Sequence, residues 1–158
     1  MDFNCMIEMR KKLSCIICSI LLAFSLTACG KDWKEEIVTY VNDNTDMLLS
    51  VCEKWCEEGT KDIADLDGTG LPPEVDISGG TDFILFEFYS EGLMTATVQG
   101  GFYYSREDAP YNNYGIMGLS DEITATEENR WEWHEEGGDN YYITEKISEH
   151  LYYYCEGW

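Results

Sequence analysis

Between residues 31 and 58, apolar side chains return at intervals of three, four or seven. Trp33, Ile37, Val41, Leu48, Cys52 and Trp55 form this series, with acids and lysines filling most of the positions between them. That spacing fits 3.6 residues per turn and predicts a single amphipathic helix whose stripe faces a core. Gly59 is placed to end it, because glycine enters the left-handed conformation of a helix C-terminus without a Cβ penalty. Residues 59–80 are dense in Gly, Pro and Asp and read as a connector, with one helical turn at 61–66.

Past residue 80 the apolar period changes to two. In DFILFEFY (82–89), Ile84, Phe86 and Phe88 fall on one face and Phe83 and Leu85 on the other, which predicts a central strand covered from both sides. LMTATVQ (93–99) follows a Ser90-Glu91-Gly92 turn as its hairpin partner, GFYYS (101–105) continues the sheet, and a long loop runs to residue 121. RWEWHE (130–135), the turn Gly137-Gly138-Asp139-Asn140, YYITEKIS (141–148) and HLYYYC (150–155) complete the set. Alternation sets Trp131 and Trp133 against Glu132 and His134. It also sets Leu151, Tyr153 and Cys155 against Tyr152 and Tyr154. Short strands with tight turns predict an α+β fold in a single domain: one long N-terminal helix packed on a curled antiparallel sheet, with the β region at 81–158.

The segment ahead of the helix predicts an address rather than structure. Arg10, Lys11 and Lys12 precede an apolar run over 13–26 that is short of the roughly 20 residues of a permanent span but suits an export signal. Leu26-Thr27-Ala28-Cys29 resembles the lipobox of bacterial lipoproteins. The resemblance implies cleavage before Cys29, acylation of its thiol, and attachment to the outer face of the cell membrane by lipid, palmitate included, without a span. Asp2 and Glu8 are out of place in an n-region, and a start at Met9 would give a compact signal.

Charge narrows the partners. The chain holds 31 acids and 10 bases; removing residues 1–28 takes away two acids and three bases, leaving 29 against 7 and a charge near −22. Such a surface repels phosphate, which excludes nucleic acid and holds the domain off anionic headgroups. High charge alone would favour disorder, but most of the 22 aromatic residues lie in the β region and supply a core.

Two segments carry a further resemblance. Gly101-Phe102-Tyr103-Tyr104-Ser105-Arg106-Glu107-Asp108-Ala109-Pro110, then Asp139-Asn140-Tyr141-Tyr142-Ile143-Thr144-Glu145-Lys146-Ile147 and Tyr152-Tyr153-Tyr154, are similar to a group of small uncharacterised proteins of Gram-positive, gut-type bacteria. Many of these are lipoproteins with a leading helix before the sheet. The likeness spans residues 80–154 and implies no activity. His150-Leu151, where Asn-Trp is common, and Cys155 depart from the pattern.

With Cys29 lipidated, Cys52, Cys56 and Cys155 remain in an extracytoplasmic domain, so a disulfide between Cys155 and Cys52, or Cys56 in its place, is expected beside free thiols as the alternative. Three thiols with His150 would suffice for zinc but lack CxxC pairs. Asp65, Asp67, Thr69 and Asp76 partly match a calcium loop, although Pro72 and Pro73 interrupt it. His134 and His150 sit in no recognised catalytic setting, and among so many acids some carboxylate pair will always be close. No catalytic residue, cofactor or metal is therefore assigned. The expected function is a non-enzymatic, membrane-anchored module that binds a protein or wall component. The alternative is a wall-directed hydrolase using an acid near Trp131 and Trp133, or His134.

Overall fold

The computed structural model describes residues 33–93, 96–111 and 123–158, and Trp33–Trp158 forms one compact unit. Helix α1 runs over Trp33–Glu58. A 3₁₀ turn at Ile63–Leu66 follows, and then seven strands: β1 Asp76–Gly79, β2 Phe83–Leu93, β3 Ala96–Ser105, β4 Thr124–Glu127, β5 Arg130–His134, β6 Tyr141–Ser148 and β7 Leu151–Gly157. The strands make one open sheet in the order β1-β2-β3-β7-β6-β5-β4, antiparallel at every step. The fold is α+β, as the alternation of apolar positions requires.

The helix is where its period puts it. Ile37, Val41, Leu48, Cys52 and Trp55 are buried, joined by Val51 and Cys56, while the acids face out. Glu35 and Glu36 in the first turn suit the positive end of the helix dipole. Gly59 closes the last turn at φ +67°, its N–H donating to the Trp55 carbonyl at 2.9 Å. The stripe packs on the sheet face bearing Ile84, Phe86, Phe102, Tyr104, Leu151 and Tyr153. Trp55 stacks on Phe86 with centroids 6.3 Å apart, and Phe86 on Phe102 at 4.3 Å. Each such side chain, fully buried, contributes roughly 1.5–3 kcal/mol.

The opposite face is aromatic as well. Tyr103, Tyr142, Tyr152 and Tyr154 are buried there, with Phe83, Leu85, Trp131 and Trp133 packed against them. Tyr111 and Ile123, which bracket residues 112–122, also pack on this cluster. Tyr103 and Tyr152 stack at 5.1 Å with planes 6° apart. The β2 strand is thus covered on both sides.

Three boundaries differ from those the sequence predicts. Ser90, Glu91 and Gly92 are no turn: they pair with Gln99, Val98 and Thr97, and β2 continues to Leu93. Part of the expected connector becomes β1, which adds to the edge of β2, and β4 adds to the edge of β5. Both edge strands are four residues long and largely exposed, so neither shows the apolar alternation that marks a strand in sequence. Short edge strands also limit pairing with other chains.

One close approach governs the centre of the sheet. A bulge between Glu87 and Tyr89 brings β2 against β3 at Gly101, where an added Cβ would lie 1.8 Å from the Phe86 carbonyl oxygen. Because the obstacle is backbone, it cannot swing aside. Gly101→Ala is expected to cost about 3 kcal/mol or more in urea unfolding. Gly59→Ala, whose Cβ meets open space, should cost only the left-handed strain of about 1–2 kcal/mol.

Candidate functional site

At the end of β3 the chain turns through Arg106, Glu107 and Asp108, the last at φ 51°. The Asp108 carboxylate ties this turn to the other hairpin. It accepts from Lys146 Nζ at 2.6 Å, from the His150 backbone N–H at 2.7 Å and from the Tyr152 hydroxyl at 3.2 Å. Burial would raise its pKa, but the hydrogen bonds from Lys146, His150 and Tyr152, with the Lys146 charge, outweigh it and hold the carboxyl below its ordinary range.

His150 occupies the tight turn from β6 to β7 at φ 63°, a conformation His tolerates better than most residues other than glycine. Its Nδ1 lies 2.9 Å from the Ser105 carbonyl, which can only accept. In the neutral ring Nδ1 therefore carries the proton and Nε2 is left as an acceptor. The ring stacks on Tyr104, centroids 5.6 Å apart.

Tyr104, Arg106 and His150, with Glu53 and Glu57 from one turn of α1, line a recess of about 280 Å³. Tyr104 is only 2% exposed, yet its hydroxyl has no hydrogen-bond partner among the described residues and is not sealed from solvent. Burial, then the Glu53 charge, push its pKa up to about 12, so it remains a donor at neutral pH. The side chains of Glu53, Glu57 and Arg106 likewise have no ion pair or hydrogen bond among the described residues. The recess thus gathers groups of both charges whose bonding capacity is unspent.

A second polar cluster is fully engaged. Arg130 Nε donates to Glu132 at 2.5 Å and its Nη1 to Glu145, which also pairs with Lys34 at 2.6 Å. His134 Nε2 lies 3.3 Å from the other Glu132 oxygen. The hydrogen bond from Arg130, then that from His134, lower the Glu132 pKa, so the acid beside Trp131 and Trp133 is held ionised.

On the face away from α1, Glu156 is 2% exposed. Gln99 donates to its Oε1, while Oε2 has no hydrogen-bond partner. Burial, resisted by the Gln99 bond and reinforced by the Glu87 charge, pushes Glu156 up to about 7. Nothing singled it out in sequence, although extending the alternation places it in the same row as Tyr152 and Tyr154.

The expected disulfide is not formed; Cys52, Cys56 and Cys155 are free thiols. Geometry gives the reason. Cys155 sits opposite Gly100, near the Tyr89 hydroxyl at 3.4 Å, and Tyr89 stacks on Trp33 at the start of α1. Cys52 and Cys56 lie near the other end of the helix, and the run from Trp33 to Cys52 alone is about 28 Å. A disulfide needs Cα atoms within about 7 Å. The sequence placed Cys155 on the correct face but gave no measure of position along it.

The calcium candidates are not assembled either. Asp65 accepts from Lys54 Nζ and Trp55 Nε1, both at 2.7 Å. The Thr69 hydroxyl accepts from Tyr40 at 2.9 Å and donates to the Leu66 carbonyl at 2.9 Å, while Asp76 pairs with Glu87 in the sheet. Asp67 caps the 3₁₀ turn through its backbone N–H. Among the described residues no group of three or more His, Cys, Asp or Glu could hold a metal ion. Cys29 lies outside the described residues.

No protein-family model, curated protein or solved structure matches the chain. What the fold and site define is an α+β domain, one helix on an open seven-stranded sheet, with a charged recess at one end.

Two measurements test these carboxylates. Asp108→Asn is expected to lower stability by about 1–3 kcal/mol at neutral pH. The difference should vanish as pH falls through the depressed native pKa, because the wild type then loses the same interactions. Glu156 has the opposite sign: its native pKa lies above the ordinary 4.5, so stability falls as pH rises from there to about 7. The penalty above that window is on the order of 3 kcal/mol. Glu156→Gln should raise the Tm at pH 8 and flatten this part of the pH profile.

Proposed function

We propose that the chain is a membrane-anchored extracytoplasmic lipoprotein whose α+β domain is a non-enzymatic binding module. The observation that carries the binding role is the recess, where Glu53, Glu57, Arg106 and a nearly buried Tyr104 converge with no partner for their polar groups among the described residues. Ionic groups in structural roles elsewhere in the domain, such as Asp108, Arg130 and Glu145, are paired. The anchoring role rests on Leu26-Thr27-Ala28-Cys29 behind its basic and apolar segment. Among the described residues no helix is long and apolar enough to cross a membrane.

The wall-directed hydrolase has less support. A general acid needs a raised pKa and access, yet Glu132 is held ionised by Arg130 and His134. Glu156 has the raised pKa but is buried.

Cells expressing the chain should incorporate labelled palmitate and cleave the signal, and Cys29→Ala should do neither. Normal cleavage of that variant would overturn the anchor. Clearing of peptidoglycan by the wild type, lost in Glu132→Gln, would put the hydrolase first.

A further inference from the structure

Arg106 is an anomaly among the bases of the described region. In a chain with three acids to each base, every other base in the described region has a partner. Lys34 pairs with Glu145, Lys54 with Asp65, Lys146 with Asp108, and Arg130 with Glu132 and Glu145, while Lys61 donates to the Gly79 carbonyl. Only Arg106 has an unused side chain among the described residues, and it lines the same recess as two unused carboxylates.

We propose that this recess binds a small zwitterion, an α-amino acid or a short peptide with free ends. Glu53, Glu57 and His150 Nε2 receive its ammonium, while Arg106 and the Tyr104 hydroxyl receive its carboxylate. The match is one of donor and acceptor counts. An ammonium has three N–H donors, and the recess offers two carboxylates and the imidazole nitrogen left free by the bond from Nδ1 to Ser105. A carboxylate needs donors, and the guanidinium fork and a phenol that stays protonated supply them.

Size restricts the ligand. The recess, at about 280 Å³, falls just below the roughly 300 Å³ at which drug-sized sites begin, and suits one or two residues rather than a folded partner. A bare cation would leave Arg106 unused, and a bare anion would meet Glu53 and Glu57. The Tyr104 hydroxyl provides the second, independent indication of a ligand, since a residue 2% exposed presents a donor with no acceptor among the described residues. The proposal rests on the binding-module reading and names the class of ligand for it.

The full-length chain in detergent can be titrated calorimetrically with alanine, alanyl-alanine, N-acetylalanine, alaninamide and methylammonium. At least one of the two zwitterions should bind once per chain with Kd below about 1 mM. N-acetylalanine and alaninamide, each lacking one charge, should bind at least about tenfold more weakly than alanine. Glu57→Gln should weaken the zwitterions by a similar factor, and Arg106→Gln should erase the preference for alanine over alaninamide. Unchanged circular dichroism of these two exposed-site variants separates loss of binding from loss of fold.

Equal binding of alanine and either blocked form would overturn the zwitterion proposal. Binding of methylammonium alone, abolished by Glu57→Gln, would overturn it while leaving the binding module intact with a cationic ligand. Absence of saturable binding by every probe would overturn the proposal and remove the site on which the binding-module reading stands.

Discussion

The Asp108 carboxylate is the interaction on which the architecture of the recess depends. Three donors from one hairpin converge on it: an ammonium from β6, a backbone N–H from the β6–β7 turn and a phenol from β7. Their effect is to lock the exit of β3 to the β6–β7 turn, two segments more than 40 residues apart in sequence. Once that lock is closed, His150 is fixed in its left-handed conformation, its Nδ1 meets Ser105, and Tyr104 acquires a stacking partner. Arg106, two residues before Asp108, is then held on the side where α1 presents Glu53 and Glu57. Without the lock, the β6–β7 turn would still be tied to the end of β3 through Ser105, whose N–H donates to the His150 carbonyl at 2.8 Å, but the Arg106–Asp108 turn would lose its own link to that hairpin.

A different constraint shapes the rest of the sheet. Large aromatic rings occupy both faces, yet among the described residues one helix packs on the sheet, and it covers one face. The interior solution is to let tyrosines satisfy one another. Tyr103 lies flat on Tyr152, and its hydroxyl is within 2.8 Å of Thr144, which in turn donates to the Tyr153 carbonyl at 2.9 Å. A phenylalanine sheet would bury similar area but leave the Thr144 hydroxyl with one partner fewer. Glycines then make room where rings or backbone crowd. Gly100 lies under the Tyr89 ring, where an added Cβ would be 2.5 Å from its hydroxyl oxygen, and Gly101 lies under the bulge of β2. The consecutive pair Gly100-Gly101 serves one face of the sheet with one residue and a neighbouring strand with the other.

How much of this was legible in the sequence follows from the range of each cause. Periodicity is local, so the helix stripe from Ile37 to Trp55, the two faces of β2 and the division of Tyr152, Tyr153 and Tyr154 between opposite faces could all be read directly. Turns marked by Gly59 and by Gly137-Gly138 were legible for the same reason. Gly92 misled, because a glycine between two apolar runs resembles a turn. In fact it pairs with Thr97 inside β2, at a φ of +149° that glycine adopts readily, and an added Cβ there would lie 2.0 Å from the Ala96 carbonyl oxygen. The edge strands Asp76–Gly79 and Thr124–Glu127 were invisible, since pairing rather than burial makes them strands. The recess could not be read at all. Its residues come from α1, β3, the turn beyond it and the β6–β7 turn, and no spacing rule connects Glu53 with Arg106 or His150.

Electrostatics explains why a site in this protein should carry both signs. A formal charge of −21 creates a field that draws cations and repels anions over distances comparable to the Debye length, about 8 Å at physiological ionic strength. A site made only of acids would therefore add little selectivity, because the whole surface already attracts cations. An isolated arginine would spend its attraction for an anion against that same field. A ligand that carries both charges has no net Coulombic term at long range, and recognition passes to short-range geometry. What counts then is whether the fork of Arg106 and the carboxylates of Glu53 and Glu57 are held apart from each other, so that the ligand rather than a direct salt bridge completes them. In the fold Glu53 and Glu57 are set by the register of α1 and Arg106 lies two residues before the Asp108 lock, with no salt bridge between them among the described residues.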